Sequence, residues 1–402
     1  MNPKTLRSFQ PAILPMLLLV VAPLLSAAEP PTFLVGPYLQ YSTQTSMAVM
    51  WETDVPCVAG IRYGKARFRR AEEKEDPDLA EILDQEASSK ESCTIHEFTL
   101  KGLEPETIYF YQAHSLDADG QQIQSAVLSF QTAVLSTSPF AFVVLGDNRS
   151  YPERFKKLAE KAWAERPNFI LNVGDLVSDG RNKDEWIKEY LAPAAELMKR
   201  VPSYVAIGNH EGNSDWFYKY SSYPDPENYY SFDYGNAHFT IVDSNGDLSR
   251  GSKQLKWIIA DLAASKAKWK FVAHHHPPFS SDNNDYGNTD LWLSKRGDPH
   301  VQALIPIYEK FNVDVVWCGH IHTYERTWPI RGGKVDQANG VVYIQAGGGG
   351  AELEQFAPTR SWFTAKLRRD WQYCLVTLHE GTFRMMAYDL AGNMYDFLEL
   401  KK

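Results

Sequence analysis

Five short segments place Asp, Asn or His directly after a predicted strand: Gly146-Asp147-Asn148-Arg149, Gly174-Asp175, Gly208-Asn209-His210-Glu211, His274-His275-His276-Pro277-Pro278 and Gly319-His320-Ile321-His322. A loop leaving a strand end can aim side chains into a shared pocket, and a small glycine lets the backbone turn sharply off the strand. Taken singly, each segment has a plain structural reading, since Gly-Asp and Gly-Asn are common turn dipeptides. Together, Asp147, Asp175, Asn209, His275, His320 and His322 offer carboxylate, amide and imidazole donors without a thiolate, a set suited to zinc, manganese or iron. Asp175 can bridge two ions. A pair of ions ~3.5–4 Å apart activates hydroxide at neutral pH and clamps the attacking and leaving oxygens of a phosphoryl displacement.

The elements that must position these residues are legible in the hydrophobic pattern. Residues 32–134 alternate apolar and polar positions with turn signals between, as in Ser46 to Trp51, Thr94 to Phe98 and Thr107 to Tyr111, which predicts an all-β sandwich. The polar stretch Leu135 to Pro139 then separates a second region, 140–400, where strands alternate with helices. Apolar runs at Phe140 to Leu145, Phe169 to Val173, Tyr204 to Ile207, Lys270 to Ala273, Val313 to Cys318 and Val341 to Ile344 have strand lengths; Glu153 to Glu165, Lys183 to Arg200, Lys253 to Ser265 and Val301 to Phe311 read as helices. Two hairpin patterns, Tyr229 to Val242 and Phe383 to Leu400, favour an αββα four-layer sandwich with two mixed sheets over one parallel sheet. Of the four cysteines, Cys57 and Cys93 fall in the β region and either pair or stay free, while Cys318 and Cys374 are widely separated from them.

Gly36-Pro37-Tyr38-Leu39-Gln40, Trp51, the run Leu103 to Tyr111 and the closing Ser129-Phe-Gln-Thr132 resemble a fibronectin type III domain. The ordered ligand segments, with His-x-Pro-x-Phe and Gly-His-Ile-His-Thr-Tyr-Glu-Arg, resemble the calcineurin-like metallophosphoesterases. With the β domain in front, they look most like the purple acid phosphatase group over roughly residues 35–400. The resemblance implies a first metal on Asp147, Asp175 and His322, and a second on Asp175, Asn209, His275 and His320. It implies His210 beside the leaving group as proton donor or transition-state stabiliser. Two positions depart from the pattern: Ser178 stands where purple phosphatases carry a metal-binding Tyr, and Arg149 where other members supply a His. The first metal then has three protein ligands, so that site is weak or empty, and Arg149 is free to grip phosphate oxygens as a fork of donors. His276 reaches substrate beside it. The His pair that purple phosphatases place after the His-x-Pro-x-Phe motif is absent from Ser280 to Tyr286.

The chain has 402 residues, 44% hydrophobic and 23% charged, with a formal charge of −9, which excludes wholesale disorder and argues against a nucleic-acid-binding face. Residues 1–28 read as an export leader: Lys4 and Arg7, the apolar run around Leu17 to Val21, and a small-residue cleavage site at Ser26 and Ala28. Pro15 and Pro23 interrupt the run, so no stable membrane insertion is expected after cleavage. Gly347 to Gly350 either approaches phosphate or is a tight turn, and the aromatic run Trp216 to Tyr220 with Tyr223 packs a loop. The expectation is an exported enzyme that hydrolyses phosphate monoesters with a metal-bound hydroxide and two Fe, Zn or Mn ions. The alternatives are a phosphodiesterase of nucleotides or lipid headgroups, or a surface binding protein with a degenerate phosphoesterase domain.

Overall fold

In the strand Ser46–Lys65, apolar side chains alternate into a buried face, and its 20 residues are long enough to serve two partners. The first half pairs with Cys93–Lys101 and the second with Ile108–Leu116, so one strand joins both layers of the N-terminal sandwich. The computed structural model describes residues 29–67, 79–286 and 296–402. The expected leader over 1–28 lies outside them. Trp51 is fully buried between the layers, stacks on Phe98 at 5.2 Å and donates its indole N–H to Ser115 Oγ at 3.0 Å. The Tyr109 hydroxyl accepts the Glu104 amide at 2.9 Å, which pins the turn ahead of its own strand. Cys57 and Cys93 face each other in register across two strands, and both thiols are free.

Beyond residue 139 two mixed sheets stack face to face. In the first, Phe140–Leu145, Phe169–Asn172 and Ser203–Val205 run parallel, and Gln372–His379, Thr382–Asp389 and Met394–Lys401 extend the sheet antiparallel. Ser203 also pairs with Gln40, so the strand Phe33–Gln40 of the N-terminal sandwich continues this sheet. In the second, Ala237–Ile241, Trp269–Ala273, Val315–Cys318 and Val342–Ala346 are parallel, with antiparallel strands at both ends. Strands buried on both faces need continuous apolar runs, and Phe142, Phe169, Phe239, Phe271 and Trp317 supply the aromatic layer between the sheets. Phe142 stacks on Phe169 at 4.8 Å.

Helices cover the outer faces. Pro152–Ala164 starts with Pro at its first position and buries Phe155, Leu158, Ala159 and Ala162, one face of a 3.6-residue period. Lys253–Ala264 is capped by the Ser252 hydroxyl, which accepts the Leu255 amide at 3.2 Å, and buries Ile258 and Leu262 against the second sheet. Two expected helices are broken. The stretch 183–200 is a short helix Lys183–Glu185, a π-helical turn Trp186–Leu191 and a further turn Ala195–Met198, because Pro193 removes an amide and clashes with the preceding turn. The stretch 301–311 divides into Pro299–Gln302 and Ile305–Lys310, the second with Pro306 in its first turn. The strand expected at 204–207 ends at Val205, and the remaining residues open the loop to Asn209.

Candidate metal centre

Every segment singled out from the sequence leaves the C-terminal end of a strand on the same side of the stacked sheets, and the six expected donors converge there. Asp147, Asp175 and His320 hold left-handed backbone, with φ of 58°, 56° and 72°, a conformation non-glycine residues adopt when surroundings impose it. The glycines beside them have no room for a side chain. A Cβ on Gly208 would lie 2.2 Å from Asp175 Oδ1, and one on Gly319 would lie 2.4 Å from Asp147 Oδ2.

One cluster gathers around Asn209. Its Oδ1 lies 3.0 Å from His275 Nε2 and 3.0 Å from His320 Nδ1, and His275 Nε2 lies 3.3 Å from Asp175 Oδ1. His275 commits Nδ1 to the Val173 carbonyl at 2.8 Å, which turns Nε2 inward, the tether that metal-binding imidazoles use. Two oxygens and two nitrogens converging without a thiolate fit zinc, iron or manganese. A second cluster joins Asp147, Asp175 and His322, whose donor atoms lie within 4.8 Å of one another. His322 is tethered in the same way, Nδ1 to the Glu352 carbonyl at 2.8 Å. Asp147 also accepts the His320 amide at 2.9 Å.

Charge in the centre is concentrated on buried carboxylates and imidazoles. Burial pushes Asp147 well above the usual carboxylate range, helped by the neighbouring Asp175 charge. Burial acts against the charged form of His275 as well, but Asp175 and Asp147 outweigh it and push the imidazole up to about 10. Asp175 responds in the opposite direction, held below its ordinary value by His275 and His210 in spite of its burial. Burial, with the charge of His275, pulls His320 down to about 2; burial and the Arg149 charge pull His322 down to about 4.

His210 stands at the open side. Its Nδ1 donates to the Ser178 carbonyl at 2.7 Å, its amide donates to Asp175 Oδ1 at 3.0 Å, and Nε2 lies 3.8 Å from Asp175 Oδ2. His276 packs against His320 with ring centres 4.5 Å apart and shares a 2.8 Å hydrogen bond between Nδ1 and Ser244 Oγ. Arg149 reaches the second cluster: Nε lies 3.5 Å from Asp175 Oδ2 and Nη2 lies 3.4 Å from His322 Nε2. His274 points away, its Nδ1 toward the His276 carbonyl.

The structure adds residues that sequence reasoning passed over. Glu211, fully buried and pushed up to about 7 by burial and then by Asp175, accepts amides from Gly208, Asp175 and Leu176 at 2.6, 3.0 and 2.7 Å. It clamps together the loops that carry Asp175 and Asn209. Glu189, on the π-helical turn, does the same for Ser150 and Ser178, accepting their amides at 3.0 and 2.8 Å. Asp285 and Glu354 stand beside the outer imidazoles, 3.5 Å from His320 Nε2 and 3.2 Å from His322 Nδ1. Asp285 comes from the segment that lacks the His pair, and nothing in its local sequence signals that the loop folds onto His320. Glu325 anchors that loop, accepting from the Ser281 amide and hydroxyl at 2.6 and 2.8 Å. Tyr324 and Arg326, on the opposite face of the same strand, bind Asp396 on the C-terminal strand, because side chains alternate across a strand. The run Gly347 to Gly350 packs on the Asp147 loop: the Gly349 amide donates to the Gly146 carbonyl at 2.8 Å.

Residues 140–324 match the family described as calcineurin-like phosphoesterase, and residues 35–132 match the purple acid phosphatase N-terminal domain. The chain is 25% identical over 354 residues to "Probable inactive purple acid phosphatase 1" of Arabidopsis thaliana, covering 75% of this chain and 55% of that one. It is 24% identical to the "Nucleotide pyrophosphatase/phosphodiesterase" of Hordeum vulgare over 57% of this chain and 70% of that one. It spans about half the length of the first Arabidopsis relatives it matches. The fold is similar to that of the purple acid phosphatase PPD1 from yellow lupin (Lupinus luteus) seeds, with a TM-score of 0.75 at 20% identity, over 92% of this chain and 74% of that one.

Proposed function

We propose that this chain, which carries a calcineurin-like phosphoesterase domain behind a purple acid phosphatase N-terminal domain, is an exported, metal-dependent hydrolase of phosphate monoesters. The observation that carries the reading is the convergence of Asp175, Asn209, His275 and His320 on one point, each donor held by a loop the fold rigidly braces. A divalent or trivalent ion held there supplies Lewis-acid chemistry: it polarises the phosphoryl oxygens and acidifies water. Asp147 and His322 form the facing wall of donors. His210 keeps Nε2 toward the reacting group, because Nδ1 is spent on the Ser178 carbonyl, and it delivers a proton to the departing ester oxygen. Arg149 and His276 bind the substrate's phosphate from opposite sides of the donors. Export rests on the leader expected over 1–28, and among the described residues no helix is long and apolar enough to cross a membrane.

A diester reading is favoured by the name of the barley relative, and a non-catalytic binding role by the relatives named inactive. Purified protein loaded with zinc, manganese or iron and assayed on aryl phosphate monoesters and diesters separates the three. Monoester turnover that disappears together with bound metal in Asp175→Ala and His275→Ala supports the proposal. Faster diester turnover moves the assignment to a phosphodiesterase. Wild-type protein that takes up no metal and hydrolyses neither class leaves the binding role.

A further inference from the structure

Arg149 is the third residue of the loop that begins at Gly146, and its side chain is only 19% exposed, so it does not turn out to solvent. Its guanidinium contacts two of the three donors of the second cluster, Asp175 Oδ2 at 3.5 Å and His322 Nε2 at 3.4 Å. Nη1 reaches Ser150 Oγ at 3.4 Å, while the buried Nε–H has no acceptor in hydrogen-bonding geometry. A guanidinium has five donors and no lone pair, so it cannot complete a metal shell. An ion at coordination distance from Asp175 and His322, ~2.0–2.2 Å, would be pressed against this fixed positive charge among buried donors. Arg149 touches the cluster around Asn209 only through Asp175, and there at Oδ2 rather than at the Oδ1 that lies 3.3 Å from His275.

The geometry points to a centre with a single resident metal ion, held by Asp175, Asn209, His275 and His320, in which the Arg149 guanidinium takes the place and the charge of the first ion. This deepens the phosphoesterase reading and rests on it. The guanidinium balances the Asp147 and Asp175 carboxylates and keeps its unspent donors, Nε–H among them, for a phosphate oxygen. A fork of this kind suits a terminal phosphate with two charged oxygens better than a diester with one, so Arg149 is also a specificity residue for monoesters.

The test is metal content and phosphate binding in the full-length chain. Wild-type protein dialysed against saturating zinc is expected to hold one equivalent by elemental analysis, and Arg149→His, which restores a ligand, is expected to hold two. Calorimetric titration with inorganic phosphate is expected to show binding about 10- to 100-fold weaker in Arg149→Met, a variant of similar length without donors. As a readout that needs no variant, cobalt-loaded wild type should give the spectrum of an isolated high-spin ion with no magnetic coupling. Two equivalents or a coupled pair in wild type would overturn the inference, as would unchanged phosphate affinity in Arg149→Met. Protein with no bound metal at all sinks the phosphoesterase reading itself, a result distinguishable from either.

Discussion

His210 and Glu211 are sequence neighbours with opposite tasks. His210 is partly exposed and pinned through one nitrogen, which leaves the other for the proton transfer proposed above. His210→Ala should therefore keep its metal and lose about 10²–10⁴ in turnover, most for alkyl phosphates, whose departing oxygen is basic, and least for nitrophenyl phosphate. Equal losses on both substrates would remove His210 from the proton path. Glu211 touches no substrate and works through backbone amides that have no other acceptor. Glu211→Gln turns an amide group against those donors and should cost about 2–3 kcal/mol in urea unfolding while weakening zinc affinity ~10–100-fold. Unchanged affinity would mean that the loops hold their shape without it. The difference in legibility between the two is physical. A candidate ligand advertises itself by residue type and position after a strand, so the six side chains that come together could be picked out from the sequence. A carboxylate that binds main-chain amides, as Glu211 and Glu189 do, depends on where distant backbone comes to lie.

Among the elements, the strand Tyr230–Tyr234, the strand Ala237–Ile241 and the helix Lys253–Ala264 meet at one buried imidazole. His238 shares hydrogen bonds of 2.7 Å with Asp233 and 2.9 Å with Asp261, and Asp261 also accepts the Ser231 and Thr240 hydroxyls. Burial disfavours the charged imidazole, but the two carboxylates outweigh it and push it up to about 9. Lys266, Lys268 and Glu380 line the same groove. Since the folded value lies above the unfolded one, this stabilisation is complete below about pH 6.5 and fades as pH rises through about 9. Asp233 is mostly exposed, which trims the contribution to about 2 kcal/mol. His238→Gln should lower Tm at pH 6 and converge on wild type above pH 9.5; a gap independent of pH would refute the charge argument. Hydrophobic pattern located the parallel strands of both sheets and a hairpin at the edge of each, because strands buried on both faces leave long apolar runs, but it passed over Tyr324–Thr327, Thr364–Arg368 and Gln372–His379. It overextended two helices at Pro193 and Pro306, where apolar spacing continues but the backbone cannot. Cys57 and Cys93, left open by the sequence, come to lie opposite each other because the strand Ser46–Lys65 changes partner near them.

At the scale of the whole molecule, the N-terminal sandwich braces the side of the fold that carries the candidate metal centre. Beyond the shared pairing of Gln40 with Ser203, Tyr38 and Gln40 donate to the Tyr220 carbonyl at 3.1 and 2.9 Å, and Tyr111 donates to the Lys199 carbonyl at 2.7 Å. The centre of this contact is Glu52, with 1% of its side chain exposed, which accepts from the Tyr220 hydroxyl at 2.7 Å and pairs with Lys183. Tyr220 closes the segment that begins at Asn209 and His210, so the sandwich holds the far end of a loop whose near end enters the metal centre. Two consequences separate this from a sandwich merely tethered by a linker. The chain should unfold in a single transition, with amide hydrogen exchange of the strand Ser46–Lys65 tracking the loss of bound metal. Glu52→Ala, which strands Lys183 and the Tyr220 hydroxyl without their acceptor, should cost about 3 kcal/mol and shift both signals together. If the amides of the strand Ser46–Lys65 lose protection at a lower denaturant concentration than that at which the metal is released, the two regions fold independently and the bracing role is wrong.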